Sequence, residues 1–111
     1  MTLFHLVPAE RWRRLEGHET YAPDSLATEG FVHLSTAAQV EGTAQRFFAG
    51  VPDLLVLEVE IPRDDPHLRW EANDGPHGVE EFPHYHRALP LAYVAGRSRW
   101  RSGGNPLGRE S

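Results

Sequence analysis

A chain of 111 residues with 40% hydrophobic and 24% charged side chains has the composition of a single globular domain. It contains no cysteine, which excludes disulfides, thiolate metal sites and a cysteine nucleophile, and no lysine, which excludes Schiff-base chemistry. Sixteen acidic against 11 basic residues give a net charge of −5, which argues against a nucleic-acid partner. Because neither a signal peptide nor a membrane-spanning apolar run is visible, we expect a cytoplasmic protein without a membrane partner.

The chain opens on a short apolar run, residues 3–7, which predicts a strand. Pro8 suits the first turn of a helix, whose apolar side would carry Trp12 and Leu15. Residues 18–29 are mostly polar and include turn-forming residues, so they predict a connection without regular structure.

Residues 30–35 predict a second strand, in which the two-residue period places His33 and Ser35 on one face. Thr36 and Gln39 then match the pattern of a capping box. A second helix is therefore predicted to begin at Thr36.

The second half predicts strands and no helix. Extended structure is expected at residues 55–61, 68–71, 81–86 and 92–95. Residues 73–78 predict a loop, and Pro83 should restrict its strand to a sheet edge or a bulge. Residues 1–100 should thus form one α+β domain of five or six short strands and two helices, followed by a disordered tail at 101–111.

The strand-to-helix junction carries the first candidate functional residues. His33 could bind a ligand or transfer a proton in a pocket, or it could be a core histidine with a structural hydrogen bond. Ser35 and Thr36 precede a predicted helix, whose free N–H groups suit phosphate or carboxylate ligands. For Thr36 the alternative is simple capping of the helix.

A second group of candidates lies on the later strands. Arg69 and Glu71 share a strand face and could bind a ligand or form only a surface ion pair. Glu81, His84 and His86 belong to the densest titratable patch, in which glutamate and histidine could act as acid and base. Two imidazoles on one strand face could also bind a metal, but further ligands at a recognised spacing are missing, so no metal site is expected.

These residues also carry a family resemblance. Residues 25–36, which read SLATEGFVHLST, resemble the central signature of the DUF952 family. Residues 68–71, 82–84 and 89–91 resemble the later motifs of that family, in the same order. The resemblance covers residues 3–96. It implies an ADP-ribosylation-like fold, with a small split antiparallel or mixed sheet and a degenerate NAD-binding pocket.

The resemblance also implies roles for individual residues. Residues 32–35 resemble the His-Leu-Ser motif of RNA 2′-phosphotransferases, which use NAD, and His5 resembles a first-strand histidine that places the nicotinamide ribose. The implied cofactor-binding residues are His5, His33, Ser35, Thr36 and Arg69, with Arg69 on the pyrophosphate. The implied catalytic residues are His33, Glu71, Glu81 and His84, and Glu80 is the alternative to Glu81 as the glutamate of the superfamily's third motif. The chain departs from the family at His86 and Arg87, where tyrosine and glycine are usual.

The leading hypothesis is therefore a protein that binds NAD or an ADP-ribose-like nucleotide. Cleavage of the nicotinamide–ribose bond, by an NAD-dependent transferase or glycohydrolase, stays open because fold similarity does not transfer activity. The alternatives are a non-catalytic metabolite-binding module and a metal-dependent hydrolase. The sequence does not indicate an oligomeric state.

Overall fold

The computed structural model describes residues 1–75 and 78–100. Over these residues the fold is α+β, as predicted, with eight strands, three α-helices and one 3-10 helix. In chain order they are β1 (Thr2–Pro8), α1 (Ala9–Arg13), β2 (Thr20–Tyr21), α2 (Asp24–Thr28), β3 (Val32–His33), α3 (Val40–Phe47), β4 (Leu54–Glu60), β5 (Leu68–Gly75), β6 (Gly78–Tyr85), β7 (Leu89–Pro90), the 3-10 helix (Leu91–Tyr93) and β8 (Val94–Arg99).

The strands form three small antiparallel sheets, with the orders β1-β4-β8, β2-β7 and β3-β6-β5. An isolated bridge between Phe4 and Ser35 joins the first sheet to the segment that follows β3. This bridge brings β1 next to β3 and so determines where the candidate histidines lie.

Strand β1 is almost continuously apolar because both of its faces are covered. Leu3 and Val7 pack into one hydrophobic cluster with β3, β4 and β6, whereas Phe4 and Leu6 pack into a second cluster with α3 and β4. Full burial of such a side chain stabilises the fold by about 1.5–3 kcal/mol, so β1 is the centre of the core. A polar residue on this strand needs hydrogen-bond partners.

Three differences from the predicted elements lie in the first half. Residues 18–29 contain β2 and α2 instead of an irregular connection, because Tyr21 is buried and pairs with Leu89 across the second sheet. The second predicted strand shortens to β3. The regular part of α3 begins at Val40, not at Thr36, although the Thr36 N–H does donate to Gln39 Oε1 at 3.1 Å.

The second half differs in the hairpin and at the proline. Residues 73–75 continue β5, so the predicted loop is wrong there, and the tip of the hairpin lies outside the described residues. Pro83 lies in β6, the central strand of its sheet. Its carbonyl accepts from the Leu34 N–H at 3.1 Å, so its missing N–H faces the short strand β3 rather than the long ladder with β5. The predicted tail at 101–111 lies outside the described residues and stays a prediction.

The observed strands outnumber the predicted five or six because of β2 and β7, which have two residues each. Strands this short carry no period that a sequence pattern could show, and they exist through their pairing partners.

Candidate functional site

A cleft of about 490 Å³ opens between β1, the region of α2, β3 and α3. Its lining combines three kinds of group. Hydrogen-bonding side chains come from His5, Tyr21, Ser25, His33, Ser35 and Thr43. Apolar walls come from Leu6, Phe47, Phe48 and Phe82, and charged groups come from Arg11, Asp24, Glu29, Arg46 and Asp74. Ligand pockets are typically about 300–1,000 Å³, so the cleft has the size and the mixed lining of a small-molecule site.

The bridge between β1 and β3 places two histidines side by side. Phe4 and Ser35 exchange both backbone hydrogen bonds at 2.8 Å. As a result, His5 Nδ1 lies 2.6 Å from the carbonyl oxygen of His33. The backbone carbonyl of His33 is thus a hydrogen-bond partner of the His5 side chain.

The protonation of His5 follows from its partners. A carbonyl oxygen only accepts, so His5 Nδ1 carries the proton, and in the neutral ring Nε2 must accept. Its partner there is the Tyr21 hydroxyl at 2.9 Å, which therefore donates to His5. Burial lowers the pKa of His5 from 6.5 to about 4 and raises that of Tyr21 to about 12, so both groups are neutral near pH 7. Because both His5 nitrogens are occupied, His5 positions Tyr21, whose oxygen keeps a lone pair for a ligand.

His33 and Glu29 form an accessible acid–base pair in the cleft. His33 Nε2 lies 2.8 Å from Glu29 Oε2, and the two side chains are 40% and 50% exposed. Glu29 directly follows α2, and His33, four residues later, is the last residue of β3. The short turn between them therefore brings the two side chains together. Both groups can reach a ligand, unlike His5.

The first turns of α3 close another side of the cleft. The hydroxyls of Ser35 and Thr43 lie 3.2 Å apart, and the Thr43 hydroxyl also donates to the Gln39 carbonyl at 3.2 Å. Ser35 is buried, so Thr43 is the more accessible of the two. Thr36, predicted beside Ser35, does not appear in the described lining of the cleft.

Two guanidinium groups supply positive charge. Arg46 extends from α3 and donates to the Asp74 carbonyl at 3.0 Å, and Arg11 lies 3.3 Å from the Asp24 carboxylate. Each guanidinium has five N–H donors, so both keep donors for an anionic ligand. Arg46 pairs with a carbonyl and so keeps its full charge.

A second polar cluster, consisting of Glu71, His84 and His86, lies on the sheet of β3, β6 and β5. His84 Nδ1 and His86 Nε2 both approach Glu71 Oε1, at 2.9 and 2.6 Å. These hydrogen bonds, that of His86 first, lower the pKa of Glu71, while burial lowers that of His84. Phe31 stacks on the His84 ring at 3.9 Å and also contacts His33 edge-on. Phe31 therefore contacts both places, and the rings of His33 and His84 also meet edge-on at a centroid distance of 5.4 Å.

The predicted site residues divide between these places. His5, His33 and Ser35 line the cleft, while Glu71 and His84 belong to the second cluster. Arg69 and Glu81 are exposed, and the described lining of the cleft includes neither. Glu81 contributes its backbone carbonyl, which accepts from Gln39 Nε2 at 2.7 Å.

The residues of the cleft that the sequence did not indicate include Tyr21, Glu29, Thr43 and Arg46. Two of them had a usable signal. Glu29 lies inside the Ser25-to-Thr36 signature, four residues before His33, and Arg46 heads the Arg-Phe-Phe triplet on the predicted helix. Tyr21 had none, because its position depends on the pairing of β2 with β7.

No helix in the described part of the chain is long and apolar enough to cross a membrane.

Comparison with known proteins places the chain in a family. The profile described as "Protein of unknown function (DUF952)" matches residues 6–96. Two crystal structures of protein CC0527 from Caulobacter crescentus, one of them a double mutant, superpose with a TM-score of 0.75 at 28% identity, covering 89% of this chain and 85% of that one. A solution NMR structure of CC0527 gives a TM-score of 0.73 at the same 28% identity, covering 95% and 90%. No curated protein matches the chain.

Proposed function

The chain belongs to the DUF952 family, and from that premise we propose that its cleft binds NAD or an ADP-ribose-like nucleotide. The observation that carries the proposal is the joint presence, in one cleft of about 490 Å³, of neutral hydrogen-bonding groups, aromatic side chains and two guanidinium groups. These are the chemistries that a ribose, a base and a pyrophosphate require. The relationship to an ADP-ribosylation-like fold is part of the same proposal.

The polar groups suggest an arrangement of the ligand. Tyr21 donates its proton to His5 and so presents an acceptor, which suits a ribose hydroxyl. Arg46 offers N–H donors and positive charge to the pyrophosphate. Phe47 and Phe82 give apolar surface to a base or a nicotinamide ring. Arg46 thus takes the role that the resemblance assigned to Arg69.

Catalysis is a further step of the proposal and depends on a carboxylate. Hydrolysis of NAD breaks the bond between ribose C1′ and the nicotinamide nitrogen, the nicotinamide leaves with the electron pair, and a water oxygen bonds to C1′. A carboxylate can stabilise the positive charge that develops on the ribose. Glu71 and Glu81 were expected in this role, but Glu29 is the glutamate that lines the cleft, with His33 beside it to accept a proton.

Binding is tested by calorimetric titration of the chain with ADP-ribose, NAD and nicotinamide. We expect ADP-ribose to bind, and Arg46→Ala to weaken its binding at least about tenfold through loss of charge-assisted hydrogen bonds. Arg13→Ala is the matched control, because Arg13 is exposed on α1 and lies outside the described lining. Equal affinities of the two variants, or no binding of any adenine nucleotide to the unmodified chain, would refute the proposal.

Turnover is tested separately by release of nicotinamide from NAD. If the cleft is catalytic, Glu29→Gln lowers the rate while ADP-ribose still binds, because the amide keeps the size of the side chain but not its charge. Glu16→Gln, in the exposed turn after α1, is the control. Binding of ADP-ribose without any nicotinamide release would instead identify a non-catalytic binding module.

A further inference from the structure

The cluster of Glu71, His84 and His86 lies outside the described lining of the cleft and has a separate chemistry. Each side chain offers one ligand atom, and these atoms lie within 4.8 Å of one another. Strand pairing sets this geometry. His84 lies near the end of β6 and His86 two residues later, so both project from one face, and Glu71 lies on β5, which pairs with β6. The backbone therefore brings two imidazoles and one carboxylate together before any ligand binds.

The distances match those between neighbouring ligands of one metal ion. Two ligand atoms that each lie about 2.1 Å from a metal, at right angles, are about 3.0 Å apart. His84 Nδ1 and His86 Nε2 lie 2.9 and 2.6 Å from the same oxygen, Glu71 Oε1. Two histidines and one carboxylate suit a divalent transition metal and leave open positions for water or substrate.

The hydrogen bonding of His84 supplies an independent observation. Its side chain is 97% buried, with 3% exposed, and Nε2 has no hydrogen-bond partner among residues 1–75 and 78–100. A buried polar atom without a partner calls for an explanation beyond packing. Phe31, stacked on the ring at 3.9 Å with an angle of 6°, holds the ring plane in place. The stacking and the hydrogen bond to Glu71 thus hold the His84 ring with Nδ1 facing the cluster, as in a preorganised ligand.

From this geometry we infer that Glu71, His84 and His86 bind one divalent transition-metal ion, through a carboxylate oxygen, His84 Nδ1 and His86 Nε2. The ion takes the place of the two N–H protons that Glu71 now accepts, and in each neutral imidazole the proton moves to the other ring nitrogen. Binding weakens as the pH falls, because a protonated imidazole cannot coordinate a metal. Coordination through Nδ1 puts the remaining proton of His84 on Nε2, where it lacks a partner. The site is therefore weaker than a structural zinc site, and chelators empty it. The inference does not depend on the proposed nucleotide cleft.

The test uses the full chain without an affinity tag, first treated with chelator and then freed of it. Calorimetric titration with Zn²⁺ should give one saturable site, and Co²⁺ should develop visible absorption bands from coordinated imidazole and carboxylate. His86→Ala should weaken binding at least about tenfold, since loss of even an outer partner of a metal ligand commonly costs that much. His86 is partly exposed, so this variant should fold, whereas substitution of the buried His84 would destabilise the core.

The matched control is His18→Ala, which removes one histidine from an exposed loop and leaves the cluster intact. It should bind Zn²⁺ as the unmodified chain does. In ¹⁵N-labelled protein, Zn²⁺ should also remove the proton from His84 Nδ1 and place it on Nε2. The absence of saturable binding at millimolar Zn²⁺, or equal affinities of His86→Ala and His18→Ala, would overturn the inference. The calorimetric titration with ADP-ribose is unaffected by either result, so the two proposals fail separately.

Discussion

His5 and His84 are both buried histidines, yet only His5 has a partner for each ring nitrogen. His5 donates to the His33 carbonyl and accepts from Tyr21, which places it among the core's satisfied polar groups. His84 donates to Glu71 and has Nε2 unpartnered within the described residues. The comparison teaches that burial alone does not reveal a histidine's role. The count of its partners separates a histidine whose two nitrogens are both satisfied from one that keeps an unpaired nitrogen.

Phe31 contacts both histidine environments. Its ring stacks on His84 and contacts the edge of His33 at a centroid distance of 4.8 Å. The cleft and the cluster of Glu71, His84 and His86 are therefore neighbours, although the described lining of the cleft contains none of these three residues. Each predicted variant therefore changes only one of these two places.

The largest effect is expected from His5→Ala. This change leaves the His33 carbonyl and the Tyr21 hydroxyl without their partner in the core and creates a cavity, which should cost about 3 kcal/mol or more of unfolding free energy. The same truncation of the partly exposed His86 should cost less than about 1.5 kcal/mol. Urea denaturation of both variants measures the difference. Equal losses of unfolding free energy would contradict the distinction between the buried, fully hydrogen-bonded His5 and the partly exposed His86.

A second prediction concerns stability at acid pH. The unfolded chain protonates His5 near 6.5 but the folded chain only near pH 4, so the unfolded state binds more protons between these values. The free energy of unfolding should therefore fall as the pH falls through this window. At about 1.4 kcal/mol per pH unit, the loss from His5 is about 3 kcal/mol. The lowered pKa values of His84 and Glu71 act in the same direction.

The variant His5→Gln separates His5 from those other groups. Glutamine does not titrate and offers one donor and one acceptor. Urea denaturation at several pH values between 4 and 6.5 should show a much shallower loss in this variant, while His18→Ala keeps the full loss. An unchanged slope in His5→Gln would show that His5 is not the source.

Local sequence patterns predict part of this structure and not the rest. The α+β class, β1 and β4 could be predicted because their apolar periodicity is local, and His33 and Ser35 could be placed on one face by the same argument. The positions of Tyr21 and Glu71 could not. Tyr21 reaches the cleft through a two-residue strand, and Glu71 meets its histidines across a hairpin whose register no local pattern reveals. Long-range pairing decides both.

A smaller effect is expected from His33→Ala. His33 is partly exposed, so the variant should lose less than about 1.5 kcal/mol of unfolding free energy. A ligand at 100 times its dissociation constant stabilises a folded protein by about 2.7 kcal/mol, and His33→Ala should lose most of this gain with ADP-ribose at the same concentration. Thermal denaturation with and without ADP-ribose measures both quantities. If the variant unfolds outright, His33 is a structural core histidine.

The smallest effect is expected from Arg69→Ala. Arg69 is exposed and outside the described lining of the cleft, so its removal should change the unfolding free energy by less than about 0.5 kcal/mol. The stabilisation by ADP-ribose should also persist. Loss of that stabilisation would show that Arg69 binds the pyrophosphate, as the family resemblance implied, and that Arg46 does not have this role.

The central claim is that a nucleotide binds in the cleft and not at the cluster of Glu71, His84 and His86. Titration of ¹⁵N-labelled protein with ADP-ribose, followed through the backbone amide resonances, tests it most directly. The account predicts saturable shifts at Tyr21, His33 and Thr43, with little change at Ala72 and His86. If Tyr21, His33 and Thr43 show no shifts, or if the shifts are concentrated at Ala72 and His86, the account is contradicted.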